Sequence, residues 1–232
     1  MKNKFYYFSL FVVLSMTACT KDLGEYIQVR VDSPDFIQLR NDAAVDIVLT
    51  QGNGYSIDFE GYELIFDDLE FRVINHKLII DQHGHYWSSR KAKVYITVPD
   101  LTRIEITSSG DIYGDNRFRI NGDLELKIAG SGDMDLNLDV KELFTSVQGS
   151  GNLYLKGYTD VHDLELDGSG EVRAYSLNSR HARVTSYGSG DAEIYAQKTL
   201  YARVRGSGNV YFIGYPAVDY SVTGSGRLID SN

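Results

Sequence analysis

The chain has 232 residues, of which 43% are hydrophobic and 24% charged, the balance of a folded globular protein rather than a disordered one. A formal charge of −9 argues against a partner held through a phosphate backbone, so no nucleic acid is expected. With 22 Gly, 17 Tyr and only 3 Pro, the composition favours strands joined by tight turns.

The first segment reads as an address. Lys2 and Lys4 form a positive start, Phe5 to Met16 is a short apolar run, and Thr17 and Ala18 are small residues just before Cys19. Leu14-Ser15-Met16-Thr17-Ala18-Cys19 resembles a bacterial lipobox, with Met16 where Leu is commoner; the resemblance implies that Cys19 is lipidated and begins the mature chain. An ordinary secretory signal with an incidental cysteine is the alternative. Residues 1–18 are thus expected to be a signal peptide and 19–27 a lipidated tether. Acyl chains would hold the domain on a membrane, as an outer-membrane lipoprotein facing either the cell surface or the periplasm. Cys19 is the only cysteine, so no disulfide within the chain is possible and stability must come from packing.

Residues 26–100, of which 28–100 are taken as an N-terminal β portion, alternate apolar and polar in short runs, as in Ile27-Val29-Val31, Val45-Ile47-Leu49, Phe71-Val73, Leu78-Ile80 and Val94-Ile96-Val98. Turns are expected at Gln51 to Gly54 and at Asn75-His76, and no helical period is evident. This portion is expected to cap the C-terminal part of the chain.

Residues 101–232 carry a repeat. It runs Ser108-Ser109-Gly110-Asp111, Gly130-Ser131-Gly132-Asp133, Gly149-Ser150-Gly151-Asn152 and Gly168-Ser169-Gly170-Glu171, then Gly188-Ser189-Gly190-Asp191, Gly206-Ser207-Gly208-Asn209 and Gly224-Ser225-Gly226-Arg227. The second glycines are spaced by 22, 19, 19, 20, 18 and 18 residues. Between copies every second residue is apolar, as in Met134, Leu136, Leu138 and Val140. Period two means strand, and a turn of Gly-Ser-Gly is expected to use the positive φ open to glycine.

Strands recurring at this period, with like residues at like phases, predict an all-β fold: a parallel β-helix whose coils stack and share one core. An antiparallel meander is the alternative, but it would need hairpin turns twice as often as Gly-Ser-Gly occurs. The last rung has no evident cap, so a homo-oligomer formed end to end through it is expected.

The run from Val94 through Pro99, Ile104 and Ile106 to Asp111, leading into successive Gly-Ser-Gly-Asp/Asn coils, resembles the auto-transporter adhesin head (GIN-type) domain family, found in secreted and lipid-anchored proteins of the Bacteroides group. The resemblance spans residues 28–230. It implies a right-handed parallel β-helix (solenoid) with an N-terminal β capping portion. It implies no activity, and the family offers no catalytic residues to carry over.

Candidate chemistry is sparse. The position after each Gly-Ser-Gly holds Asp111, Asp133, Asn152, Glu171, Asp191, Asn209 and Arg227. An oxygen-rich calcium ladder is one reading; side chains accepting hydrogen bonds from turn amides is the other and the one favoured, since Glu171 and Arg227 break the ladder. His76, His83, His85, His162 and His181 lack a zinc-site spacing and are expected to be solvated loop residues, so neither metal nor cofactor is expected. Asp133, Asp135 and Asp139 fall on the solvent phase, which speaks against a β-helical carbohydrate-active enzyme.

Tyrosines offer the better surface. Asp135, Tyr154, Arg173, Glu193 and Tyr211 are expected at one outward phase, and Tyr86-Trp87 forms a second patch. Tyr86, Trp87, Tyr154 and Tyr211 are the candidate ligand contacts, since exposed aromatic rings stack on sugars or grip proteins. The expected function is that of a non-enzymatic, lipid-anchored envelope binding module, an adhesin for a glycan or a protein. A periplasm-facing structural or assembly component is the alternative.

Overall fold

The alternating segments coil into a parallel β-solenoid of about 7 turns. The structure, a computed structural model, describes residues 23–84 and 92–232. The signal segment, Cys19, His85, Tyr86 and Trp87 therefore lie outside the described residues.

In chain order the elements are β1 (Tyr26–Val31), β2 (Gln38–Asn41), β3 (Asp46–Gln51), β4 (Ser56–Tyr62), α1 (Glu63–Asp67), β5 (Leu69–Ile74), β6 (Lys77–Gln82), β7 (Ala92–Val98) and β8 (Arg103–Ile106). There follow β9 (Ile112–Ile128), β10 (Met134–Val147), β11 (Leu153–Leu166), β12 (Val172–Ser186), β13 (Ala192–Val204), β14 (Val210–Ile213), β15 (Ala217–Val222) and β16 (Leu228–Asp230). From β9 to β13 each strand fills the interval between successive Gly-Ser-Gly turns and pairs in parallel with the strands one repeat away, while β14 and β15 share the next interval. A parallel ladder puts like positions on top of one another, so inward residues form columns. Met134, Leu153, Val172, Ala192 and Val210 make one column, and Ile128, Val147, Leu166, Ser186 and Val204 another. All of these side chains are buried.

The turn glycines do not use positive φ. Among the described glycines only Gly24, Gly157 and Gly214 have it. The turn glycines are needed because each turn lies directly on the one before. A Cβ added at Gly132, Gly151, Gly170, Gly190, Gly208 or Gly226 would come closer than 3.0 Å to the carbonyl oxygen of the equivalent glycine one turn earlier. The first glycines Gly130, Gly149, Gly168, Gly188, Gly206 and Gly224 face the same obstruction. The intervening amides point the same way: Ser150 N–H donates to Gly130 O at 3.1 Å and Ser169 N–H to Gly149 O at 3.0 Å.

Register also reveals a copy of the turn with no glycine in it. Asn41 pairs with Ile106 and Ile47 with Ile112, so Ala43-Ala44-Val45-Asp46 underlies Ser108-Ser109-Gly110-Asp111. Gly110 is the first glycine whose added Cβ would meet a carbonyl of the turn beneath it, that of Val45. Asn41, fully buried, holds this first turn from within: its Nδ2 donates to Val45 O at 2.9 Å, and its Oδ1 accepts from Ala43 N–H at 3.2 Å. Ser108, replacing the usual glycine, bonds through Oγ to Ala43 O at 2.6 Å.

The N-terminal portion is more than a lid. β2 and β3 form a rung paired with β8 and β9, and β6 and β7 form a further rung outside it. One sheet therefore runs unbroken past residue 100. Rung order departs from chain order here, since the later β6–β7 segment lies outside the earlier β2–β3 one. Only the outermost strands are antiparallel: β4 on β7, β1 on β4, and β5 on β6. The β5–β6 hairpin turns at Asn75 and His76, both at positive φ. Helix α1, at five residues, is too short to leave a readable period in the sequence.

Stacking and φ are separable by substitution. Gly170→Asn and Gly170→Ala are both expected to cost about 2 kcal/mol or more, because either Cβ overpacks against backbone. Gly122→Ala, where a Cβ meets nothing within 4 Å, is expected to be near neutral. Denaturant melts decide it. A tolerated Asn beside a damaging Ala would restore the φ explanation, since Asn accepts left-handed backbone.

Candidate functional site

One outward column runs the length of the coil. Arg30 pairs with Asp58, Asp58 with Tyr95, Tyr95 with Val48 and Val48 with Tyr113. The column continues through Asp135, Tyr154, Arg173, Glu193, Tyr211 and Ile229. The expected alignment of Asp135, Tyr154, Arg173, Glu193 and Tyr211 is thus present, and it extends beyond the repeat onto the N-terminal strands.

A depression of about 530 Å³ opens at the N-terminal end of this face. Gln28, Val29, Arg30, Asp58, Phe59, Glu60 and Tyr95 line it. Its polar groups are tied to one another. Arg30 grips Asp58 with two parallel hydrogen bonds of 2.8 and 3.1 Å, which hold the Asp58 carboxyl below its usual pKa. Glu60 accepts from the Tyr26 hydroxyl at 3.0 Å and also from Tyr95, and these bonds lower its pKa. Both phenols are pushed up, Tyr26 chiefly by its bond to Glu60 and Tyr95 by burial and then by its own bond to Glu60. The hydroxyls are thus anchored at the rim.

Further along, the tyrosines are braced in the same way. The Tyr113 hydroxyl donates to Asp111 at 2.7 Å, and burial followed by that bond raises its pKa; the ring is still 41% exposed. Tyr154 and Tyr211 are half-buried. The Arg173 guanidinium sits 5.7 Å from the centre of the Tyr154 ring while bonded to Glu171 at 2.7 Å, and Asn209 Nδ2 donates to the Tyr211 hydroxyl at 3.3 Å.

A second outward face carries a shallower depression of about 300 Å³, where exposed Phe144 is ringed by Glu125, Asp163 and Glu165. Two of these charges are used along the ladder, Glu125 with Arg103 at 2.5 Å and Asp163 with Arg183 at 3.3 Å. Beyond them Arg203 lies 3.6 Å over the Tyr201 ring and bonds Asp219 at 3.2 Å. Most of this face is cross-strand pairing.

The acidic column at the turns serves the backbone, as its favoured reading has it. Asp111 Oδ1 accepts from Asp133 N–H at 2.7 Å, Asp133 Oδ1 from Asn152 N–H at 2.7 Å, Asn152 Oδ1 from Glu171 N–H at 2.9 Å, and Asp191 Oδ1 from Asn209 N–H at 2.6 Å. Each of these side chains thus fastens the next turn of the coil.

The histidines divide. His83 is exposed beside Glu70 at 3.1 Å and His181 meets Thr199 at 2.7 Å. His162, expected in solvent, is instead 1% exposed in the core. It pairs with Ala182, while His181 pairs with Val161, so the two histidines do not stack. An inward phase set by a parallel ladder outweighs the side chain's polarity. Nε2 of His162 shares a hydrogen bond of 3.0 Å with the Thr145 hydroxyl, and Nδ1 is buried without a partner.

Sequence reasoning missed the depression, because Arg30, Asp58, Glu60 and Tyr95 come together only through the antiparallel pairing of β1, β4 and β7. The alternation of Gln28 and Arg30 against Ile27 and Val29 was the signal that they face outward.

Residues 35–216 match the family described as "putative auto-transporter adhesin, head GIN domain". The chain belongs to this family. Its fold recurs in crystal structures of bacterial proteins. A protein of Bacteroides fragilis described as a putative adhesin superposes with a TM-score of 0.85 at 23% identity, over 89% of this chain and 97% of that one. A putative adhesin of Parabacteroides merdae gives 0.70 at 19% identity, over 90% and 97%. A putative lipid binding protein of Parabacteroides distasonis gives 0.70 at 19%, over 90% and 98%. At these identities the likeness is one of fold. No curated protein matches the sequence.

His162 makes stability depend on pH. Burial lowers its pKa from 6.5 to about 4, so within that window the unfolded chain takes up a proton that the folded chain refuses. Stability contributed by neutral His162 is therefore lost as pH falls, by about 2 kcal/mol at roughly pH 5 relative to neutral. Denaturant melts of His162→Leu at the two pH values should show a shallower loss than the parent chain. Equal slopes would mean that the imidazole titrates normally.

Proposed function

We propose that this GIN-domain chain is a non-enzymatic adhesin that binds a glycan on the face running from the β1–β4–β7 depression to Tyr211, and that Cys19 anchors it by lipid to the outer membrane, facing outward. The observation that carries the reading is the depression itself, where Tyr95 lies among Gln28, Arg30, Asp58 and Glu60 in line with Tyr113 and Tyr154. A sugar offers C–H faces that pack on aromatic rings and hydroxyls that bond to fixed carboxylates, amides and guanidinium groups. The polar groups here are held by one another, so binding costs little ordering. A long chain of sugar units also suits a long column.

The same electrostatics favour binding over cleavage. Glycoside hydrolysis needs one carboxyl kept protonated as an acid, with its pKa raised. Asp58 and Glu60 are shifted the other way, by Arg30 and by the tyrosine hydroxyls.

Tyr95→Ala is expected to weaken binding to a polysaccharide panel by at least about tenfold, the scale of one lost aromatic contact. Tyr201→Ala, on the other face, should leave binding unchanged. A panel bound equally by both variants would remove the site from this face. Protease shaving of intact cells, with a periplasmic lipoprotein as control, checks the address. Loss of the domain with the control intact is expected; protection until the outer membrane is opened would replace the adhesin reading with a periplasmic assembly role.

A further inference from the structure

The two ends of the coil are built differently. At the N-terminal end the parallel rungs are covered by antiparallel β4, β1 and β5, and the inward residues Phe59, Leu78 and Ile80 are fully buried. The outermost strands carry charge, Arg30 on β1 and Glu70 and Arg72 on β5, as strands that must not recruit partners do. At the other end β15 pairs only with β13, and β16 only with β14, among the described residues. Val218, Tyr220 and Val222 continue the buried columns of Leu200, Ala202 and Val204, yet they are 39%, 60% and 37% exposed. Core-phase side chains and a row of unpaired backbone groups therefore face solvent together.

This end is also poor in charge. From Tyr215 to Asn232 only Asp219, Arg227 and Asp230 are charged, in a chain with a formal charge of −9, and Asp219 is already held by Arg203 at 3.2 Å. A second copy could approach here with little like-charge repulsion. Strand β15 has no bulge in its register and no lysine to repel a partner strand.

We propose that two copies of the chain join end to end through β15 and β16, about a two-fold axis perpendicular to the coil. Such an axis reverses the direction in which the second copy winds, so strands meeting across it run antiparallel. That is the geometry with which the chain closes its own N-terminal end. A two-fold contact is also self-complementary and stops at two copies, whereas head-to-tail stacking would need an open N-terminal rung. The dimer would double the length of the lateral column and leave it uncovered.

The test uses residues 20–232, which contain every described element. Sedimentation velocity across a wide concentration range is expected to show a monomer giving way to a dimer and nothing larger. Val218→Lys is expected to raise the dissociation constant at least about tenfold by setting like charges against each other. Its thermal melt at low concentration should match the parent, because position 218 is exposed. Hydrogen exchange supplies the location: amides of β15 and β16 should gain protection with concentration, while those of β1 and β5 do not change. A monomer at every concentration overturns the proposal and leaves the end to a different chain. Growth beyond a dimer, a dimer indifferent to Val218→Lys, or protection gained elsewhere overturns it as well.

Discussion

Every rung of this coil depends on one turn resting on the next at a separation that leaves no room for a Cβ. Gly132 over Gly110, Gly151 over Gly132 and Gly170 over Gly151 repeat the same approach, and the intervening serine amide donates to the carbonyl at the start of the turn below, as Ser150 does to Gly130. The Asp and Asn side chains just after the glycines then reach forward to the next turn's backbone, as Asp133 does to Asn152. Close packing and a charge-assisted hydrogen bond thus act at one corner, and together they hold adjacent strands in register. With register held there, inward residues must fall on inward residues, and the core columns are the result.

The same register governs the outside. A ladder that superimposes Met134 on Leu153 must also superimpose Asp135 on Tyr154. Outward side chains are therefore delivered in rows about 4.8 Å apart, and neighbours in a row constrain each other. On one face the result is paired charge, with Arg103 on Glu125 and Arg183 on Asp163. On the other it is tyrosine braced by its neighbours and a depression where the antiparallel strands begin. Rigid aromatic rings with anchored hydroxyls make a surface suited to recognition, and rigidity lowers the ordering cost of binding.

The corner constraint also explains what the ends look like. Where the stack starts, Ala43 and Val45 keep their Cβ atoms, and the buried Asn41 side chain supplies the bonds that a neighbouring turn supplies elsewhere. Where it stops, the columns simply surface as Val218, Tyr220 and Val222. A solenoid has no intrinsic length, so each end needs its own solution. At the N-terminal end it is the chain's own antiparallel strands; among the described residues no strand pairs with the outer edges of β15 and β16.

The coil was legible from sequence because its cause is local: apolar residues alternate with polar ones, and Gly-Ser-Gly returns at intervals of 18 to 22 residues. Periodicity placed the turns, assigned the inward and outward phases, and put Tyr154 and Tyr211 in one column. It failed where identity and phase disagreed, as for His162, whose inward position in the ladder outweighs its polarity. It also could not see the turn at Ala43 to Asp46, because glycine was the marker and Ala43 and Val45 stand where the later turns have glycine. The real reason for the glycines was invisible too, since a clash between turns is a distance between residues a whole repeat apart. The depression was decided by tertiary structure alone. Arg30, Asp58 and Tyr95 sit on strands separated by other elements, and only antiparallel pairing outside a rung inserted out of chain order brings them side by side.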